Sequence, residues 1–168
     1  MNFKKLLMAS CVIAAASTTQ ADITIGVVTS SSGPVAMVGI PQKNSIALLP
    51  KKIGNENVRY ISLDDASDPT ASVKAVEKLI KENKVDAIIG PSGSPNATAV
   101  IGTIAKAQVP LLAPVGTSSI VQPMNEQKKW VFKTTQNDEI IAEALVQDMV
   151  KRKIKTLGFI GTADPYGE

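Results

Sequence analysis

Short apolar runs alternate with longer amphipathic stretches along most of this chain. Residues 22–29 (Asp22-Ile23-Thr24-Ile25-Gly26-Val27-Val28-Thr29) are β-branched and mostly apolar, and predict a first strand. Residues 58–63, the run Ala87-Ile88-Ile89, residues 109–113 and residues 130–134 predict four more, and residues 156–160 a further one. Asn55-Glu56-Asn57 reads as the polar turn before the second. Between the strands the period changes to that of a helix. Pro41 and Pro50 bracket a short helix carrying Ile46, Ala47, Leu48 and Leu49, with proline at its first position and at its stop. Val73, Val76, Leu79 and Ile80 form the next apolar stripe, with Lys74, Glu77, Lys78, Lys81 and Glu82 on the solvated face. Glu77 and Lys81 stand four apart in the favourable order. Ala97, Val100, Ile101 and Ile104 mark a third helix, and Ile141, Leu145 and Met149 a fourth that ends on Lys151, Arg152 and Lys153. Strands alternating with helices predict an α/β fold, a doubly wound parallel sheet with crossover connections.

The stretch around Gly90 organises the rest. A short buried strand ends in Gly90-Pro91-Ser92-Gly93-Ser94, and a helix begins at once. Small residues let a ligand approach the backbone. The helix start supplies free N–H groups and the positive end of a dipole, which favour an anion. The hydroxyls of Ser92 and Ser94 add neutral donors. Pro114-Val115-Gly116-Thr117-Ser118-Ser119 is a second small, hydroxyl-bearing turn at the end of the next strand. Ligands of doubly wound sheets sit beyond the carboxyl ends of strands, so the two turns can share one small carboxylate or phosphate. The competing account is that their small residues only let helices pack close to the sheet. The loop Ser30-Ser31-Ser32-Gly33-Pro34 is either a plain turn or part of the same wall. In Asp64-Asp65-Ala66-Ser67-Asp68-Pro69 three acids cluster, but Asp68 as a helix cap before Pro69 explains them better than a metal site. Trp130 reads as packing. Asn96-Ala97-Thr98 matches a glycosylation acceptor, a weak signal at a helix start.

Composition narrows the chemistry. The 168 residues, 44% hydrophobic and 20% charged, are globular in type. With no histidine and one cysteine, Cys11, a Ser-His-Asp site, a His-ligated metal and a disulfide framework are excluded within this chain. The turn at Ser92 lacks the spaced glycine of a nucleophile elbow, and neither a Walker A loop nor a GxGxxG follows the first strand. The expectation is a protein that is not an enzyme and carries no cofactor or metal. Lys4 and Lys5, an apolar run over residues 6–16 too short to span a bilayer, and Ser17-Thr18-Thr19-Gln20-Ala21 form a secretion leader cleaved after Ala21. Losing the two lysines takes 18 basic residues to 16 against 15 acidic ones, a net +1 that argues against nucleic acid. Met8-Ala9-Ser10-Cys11 is a poor lipoprotein box beside that plain leader. The mature chain has no cysteine, which suits an oxidising compartment. Asp164-Pro165-Tyr166-Gly167-Glu168 ends the chain where a helix is due, so it reads as cut short.

Ser32-Gly33-Pro34, the Asp64–Pro69 hexapeptide, Ile89-Gly90-Pro91-Ser92-Gly93-Ser94, Ala113-Pro114-Val115-Gly116-Thr117 and the final Asp-Pro-Tyr-Gly-Glu occur in one order from residue 22 to the end. Together they resemble the type I periplasmic solute-binding proteins of ABC importers, branched-chain amino acid class. The resemblance implies two α/β lobes with the ligand in the cleft between them. Residues 1–21 would be the signal peptide, 22–135 the first lobe, and 136–168 the hinge and the start of a second, similar lobe. It implies that Ser94 and Thr117, with Ser92 beside them, hold the ligand carboxylate. The Val115 carbonyl would face an ammonium group, and Tyr166 would close over the ligand. An acidic partner for the ammonium would lie beyond Glu168. It also implies the periplasm, an ABC permease of the inner membrane as partner, and a monomer when full length. Met37-Val38-Gly39 stands where many amino-acid-binding members carry an aromatic residue. The short segment over residues 47–54 resembles a subgroup whose ligands include aromatic and other organic acids. The same fold also serves extracytoplasmic sensors, which carry a transmembrane helix or a signalling domain besides.

Overall fold

The computed structural model describes residues 23–167. The leader, Cys11 and the expected cleavage point after Ala21 lie outside the described residues. Five strands run parallel: β1 (Ile23–Thr29), β3 (Glu56–Asp64), β4 (Ala87–Ile89), β5 (Leu111–Ala113) and β6 (Val131–Lys133). The two-residue β2 (Lys52–Ile53) pairs antiparallel with β3. The sheet order is β2-β3-β1-β4-β5-β6. Chain order turns back at the β1/β4 junction, where Ile25 faces Ala87 and Val27 faces Ile89. Such a reversal leaves a crevice beyond the strand ends, since the connections on its two sides leave in opposite directions.

β1 explains why its sequence is apolar on both faces. Val27 and Val28 point to opposite sides and are both fully buried. Val28 packs into a core built with α2 (Pro69–Lys81) and α3 (Ser94–Ala107), where Val76, Leu79, Val100 and Ile104 are also fully buried. Each such side chain contributes on the order of 1.5–3 kcal/mol by leaving water. Val27 borders Gln42 and Ile46 on the other face, beside α1 (Ala36–Ser45). All four residues of the predicted α3 stripe, Ala97, Val100, Ile101 and Ile104, are buried. In α2, Val76 and Leu79 are buried, while Val73 and Ile80 pack partly buried against the core. Trp130 does the same. The Glu77–Lys81 pair forms at 2.8 Å. Asp68 caps α2, its Oδ1 accepting the Ala71 N–H at 2.6 Å, and Pro69 follows as the first helical residue.

Three expectations are corrected. Pro41 does not start α1 but lies inside it, and Ile46–Leu48 form a separate 3-10 turn. The helix starts early because Gly33, at φ +79°, turns the chain, and the Gly33 and Val35 carbonyls take the first N–H groups. Gly39 then rests against the Ser30 carbonyl where a Cβ would overlap it. Glu56 and Asn57 belong to β3 rather than to a turn, because the β2 hairpin gives them partners. Residues 156–160 form no strand, since none of the strands described runs beside them. The fourth helix, α4 (Asp138–Lys151), forms as expected, but none of its residues is buried.

Candidate functional site

A cavity of about 620 Å³ opens at the carboxyl ends of β1, β4 and β5, within the size range of small-molecule sites. Its wall brings together Ser92, Ser94, Val115 and Tyr166, four of the five residues singled out from sequence. The fifth, Thr117, is buried just outside the lining, where Val115 and Gly116 stand. Its Oγ1 accepts the Ser119 N–H at 3.3 Å and shares a hydrogen bond with the Ser119 hydroxyl at 2.8 Å, capping the 3-10 turn Ser118–Ile120.

The first turn is shaped by Gly90. Its φ of +115° suits glycine, and a Cβ there would overlap the Val28 carbonyl. Ser92 is then pinned, its Oγ accepting the Ser30 N–H at 3.1 Å. That bond makes the Ser-rich loop part of the wall, which also includes Pro34. Ser94 opens α3, and among the described residues its hydroxyl has no hydrogen-bond partner although the residue is only 4% exposed. Gly93 caps the helix without a side chain, and Pro95 removes one N–H from the first turn. The backbone donors of Ser94 and Asn96 have no intrahelical acceptor at that position. The site therefore presents one neutral hydroxyl and a helix N-terminus, which suit a monoanion without any basic residue.

Underneath lies a polar knot that the sequence reading did not single out. Asp65 is fully buried. Its Oδ1 accepts the Ser30 hydroxyl at 2.7 Å and the Ser67 N–H at 3.0 Å; its Oδ2 accepts the Ser72 hydroxyl at 2.7 Å and the Asn96 amide at 2.9 Å. Asn96 also donates to Ser72 at 2.7 Å. One carboxylate thus ties the ends of β1 and β3 to α2 and to the first turn of α3. Burying it is tolerable because its lone pairs are satisfied. Asn96, 2% exposed, is an internal strut.

Asp64, next to it, binds the rim loop: it accepts the Ser31 N–H and Ala66 N–H at 2.9 Å each and the Ser32 hydroxyl at 2.8 Å. Slight desolvation pushes its pKa up, but these bonds together outweigh it and hold the carboxyl below its ordinary value. On the opposite rim Asp164 is also held low, by the N–H groups of Gly167 and Tyr166 and the Thr162 hydroxyl. Among the described residues no group of three or more metal-ligating side chains is gathered, and no helix is long and apolar enough to cross a membrane.

Known proteins are similar to this chain in sequence and fold. Residues 22–168 match the family model described as periplasmic binding protein. A Leu/Ile/Val-binding protein of Rhizobium johnstonii, BraC3, is 29% identical over 155 residues, covering 88% of this chain and 41% of its own length. An extracellular ligand-binding receptor from Rhodopseudomonas palustris HaA2 aligns with a TM-score of 0.85 at 44% identity, over 88% of this chain and 41% of that one. An ABC-transporter solute-binding protein from R. palustris, solved with 4-hydroxybenzoate, aligns with a TM-score of 0.78 at 25% identity, over 88% and 40%. The chain spans about 40% of the length of these relatives. Its fold, the position of its cavity and the match over nearly all of its described residues agree: the chain belongs to the periplasmic binding proteins, and its sheet is a lobe of the type I architecture.

Proposed function

We propose that this chain supplies the first ligand-binding wall of an extracytoplasmic solute-binding protein serving an ABC importer, and that it captures a small carboxylate. The observation that carries this is Ser94 at the open N-terminus of α3, its hydroxyl without a hydrogen-bond partner among the described residues, lining the same cavity as Val115 and Tyr166. The carboxylate sits against Ser94 and the free N–H groups of the first helical turn. Ser92 and Thr117 shape the two turns, each through a bond to a neighbouring backbone N–H. Residues 22–135 act as the first lobe, and 136–168 as the hinge and the start of the second. Tyr166 comes from that second part and closes over the ligand. The ligand selects the closed form by binding both sides of the cleft, and that form docks on the permease. The protein works in the periplasm as a monomer, after loss of its leader. The relatives whose names state a ligand include Leu/Ile/Val binders and one solved with 4-hydroxybenzoate. Both a branched-chain amino acid and an aromatic acid present the carboxylate that this wall suits.

The test is a titration of the chain with leucine, benzoate and 4-methylpentanoate, followed by amide chemical shifts so that weak binding registers. The expected result is a shift centred on residues 92–97 and 115–117, weakened by roughly 1–3 kcal/mol in Ser94→Ala. Binding that Ser94→Ala leaves unchanged would move the site elsewhere.

A further inference from the structure

A buried negative charge stands directly behind the wall of the cavity. Ser67 and Asn96 both line it, and both donate to the same carboxylate. The Ser67 N–H reaches Asp65 Oδ1 at 3.0 Å, and the Asn96 amide reaches Oδ2 at 2.9 Å. Ser92, also in the lining, is linked to Asp65 through Ser30, whose N–H bonds the Ser92 Oγ and whose hydroxyl donates to Oδ1. Asp65 thus lies one asparagine side chain behind the first turn of α3, at 0% exposure. Four donors on its two oxygens, the Ser72 hydroxyl included, suit a carboxylate, which only accepts. Away from solvent, its field is screened less than that of a surface charge.

Among the described residues the lining includes no lysine or arginine, and its charged member, Asp164, is another acid. The positive pole facing a ligand is the N-terminus of α3, equivalent to about half an elementary charge. Beside it stands the Ser94 hydroxyl, in a residue 4% exposed and without a partner among the described residues. One negative charge on a ligand is met by that pole. A second charge on the same head group finds no further pole and is repelled by Asp65. We propose that Asp65 is a specificity-determining residue, restricting the cavity to singly charged anions and excluding the phosphate-type dianions that a bare helix N-terminus favours. The inference rests on the anion site at Ser94 proposed above. It also separates two ligand classes, carboxylate and phosphate, that the small hydroxyl-bearing turns leave equal. Asp65 acts through its field, across Asn96 and Ser67, without touching the ligand.

The experiment compares benzoate, phenyl phosphate and methyl phenyl phosphate by amide-shift titration of the whole chain. It is run at about pH 8, where a phosphate monoester with a second pKa near 6 carries two charges and its methyl ester one. The expected result for the unaltered protein is that the methyl ester binds tenfold or more tighter than phenyl phosphate. Asp65→Asn removes the charge and keeps the shape. Its carbonyl oxygen still faces Ser30 and Ser67, Asn96 can turn its amide to accept from the new one, and Ser72 has the Asp68 carbonyl at 3.0 Å. In that variant the two phosphates should come within about threefold of each other. If Asp65→Asn is poorly folded, the exchange Asp65→Asn with Asn96→Asp carries the comparison. It retains an amide–carboxylate pair, brings the charge nearer the helix start, and should widen the gap beyond that of the unaltered protein. Equal binding of the two phosphates by the unaltered protein would overturn the inference, as would a gap that a folded Asp65→Asn leaves unchanged or the exchange fails to widen. Benzoate binding with neither phosphate bound would place the exclusion in head-group shape and overturn it too, leaving the carboxylate site intact. If none of the three anions perturbs residues 92–97, the anion reading itself fails and the inference falls with it.

Discussion

α3 and α4 are both 14-residue helices with apolar residues at helical spacing. α3 buries its stripe to between 0 and 8% exposure, whereas in α4 Ile141 is 42% and Leu145 55% exposed. The difference is not in propensity. α3 has a sheet behind it and α2 beside it, and its first turn is strapped to Asp65 through Asn96. α4 borders a cavity of about 620 Å³ lined by Phe159, Ile160 and Tyr166, themselves exposed. An amphipathic pattern states which face a helix offers, and only a neighbouring element turns the offer into stability.

The strongest way to break this comparison is truncation in both helices. Ile104→Ala should cost about 2–5 kcal/mol in denaturant unfolding, as deletions in closed cores do. Leu145→Ala should stay within about 0.5 kcal/mol, as at open surfaces. Equal costs would mean that the α4 face is covered in solution. A smaller effect separates the helix starts. Asp68 caps α2 through its side chain while Asn137 caps α4 without such a bond. Asp68→Ala should therefore lose about 1 kcal/mol of stability, and Asn137→Ala should leave the melting temperature almost unmoved.

The smallest effect is electrostatic. Asp64 and Asp164 are both held below the ordinary carboxylate range, so each favours the fold while ionised. That contribution is fully present above the unfolded value near pH 4, and is lost as pH falls through the lower folded value. Asp64 joins segments some 30 residues apart, whereas Asp164 bonds only within its own turn. Acid should thus loosen residues 30–34 together with 64–67, but should unwind only 162–167 around Asp164. Carboxyl and amide shifts followed from pH 6 to pH 2 read both. Simultaneous loss in the two regions would show that they do not respond separately.

What was legible in the sequence was what is decided locally. The α3 stripe, the Asp68-Pro69 cap and the Gly90 turn depend on neighbours within a few positions. The two turns meeting in one cavity also followed, because parallel strands of a doubly wound sheet bring their ends to one edge. The misreadings have other causes. Proline at Pro41 obeyed a local rule that lost to another, the turn at Gly33 that starts the helix early. The β2 hairpin is too short to leave a period. Residues 156–160 have strand composition, but a strand needs a partner to take its hydrogen bonds. Asp65 was invisible as a hub because Ser30 and Asn96 lie 35 and 31 residues from it. The Thr135 hydroxyl bond had no local signal either, since its partner, the Val115 carbonyl, lies 20 residues away.

The buried strut at Asn96 has a practical side for anyone producing the protein. Asn96-Ala97-Thr98 is an acceptor sequence in hosts that attach sugars to asparagine during secretion. In the folded chain the amide is sealed against Asp65 and Ser72. In a yeast or mammalian secretory pathway it would be offered to the glycosylating enzyme before the fold closes. A sugar attached there would leave two buried partners unmatched and hold α3 off the sheet. Bacterial production avoids that misfolded fraction, and Thr98→Ala, at an exposed position whose hydroxyl bonds only the Ser94 carbonyl, removes it elsewhere.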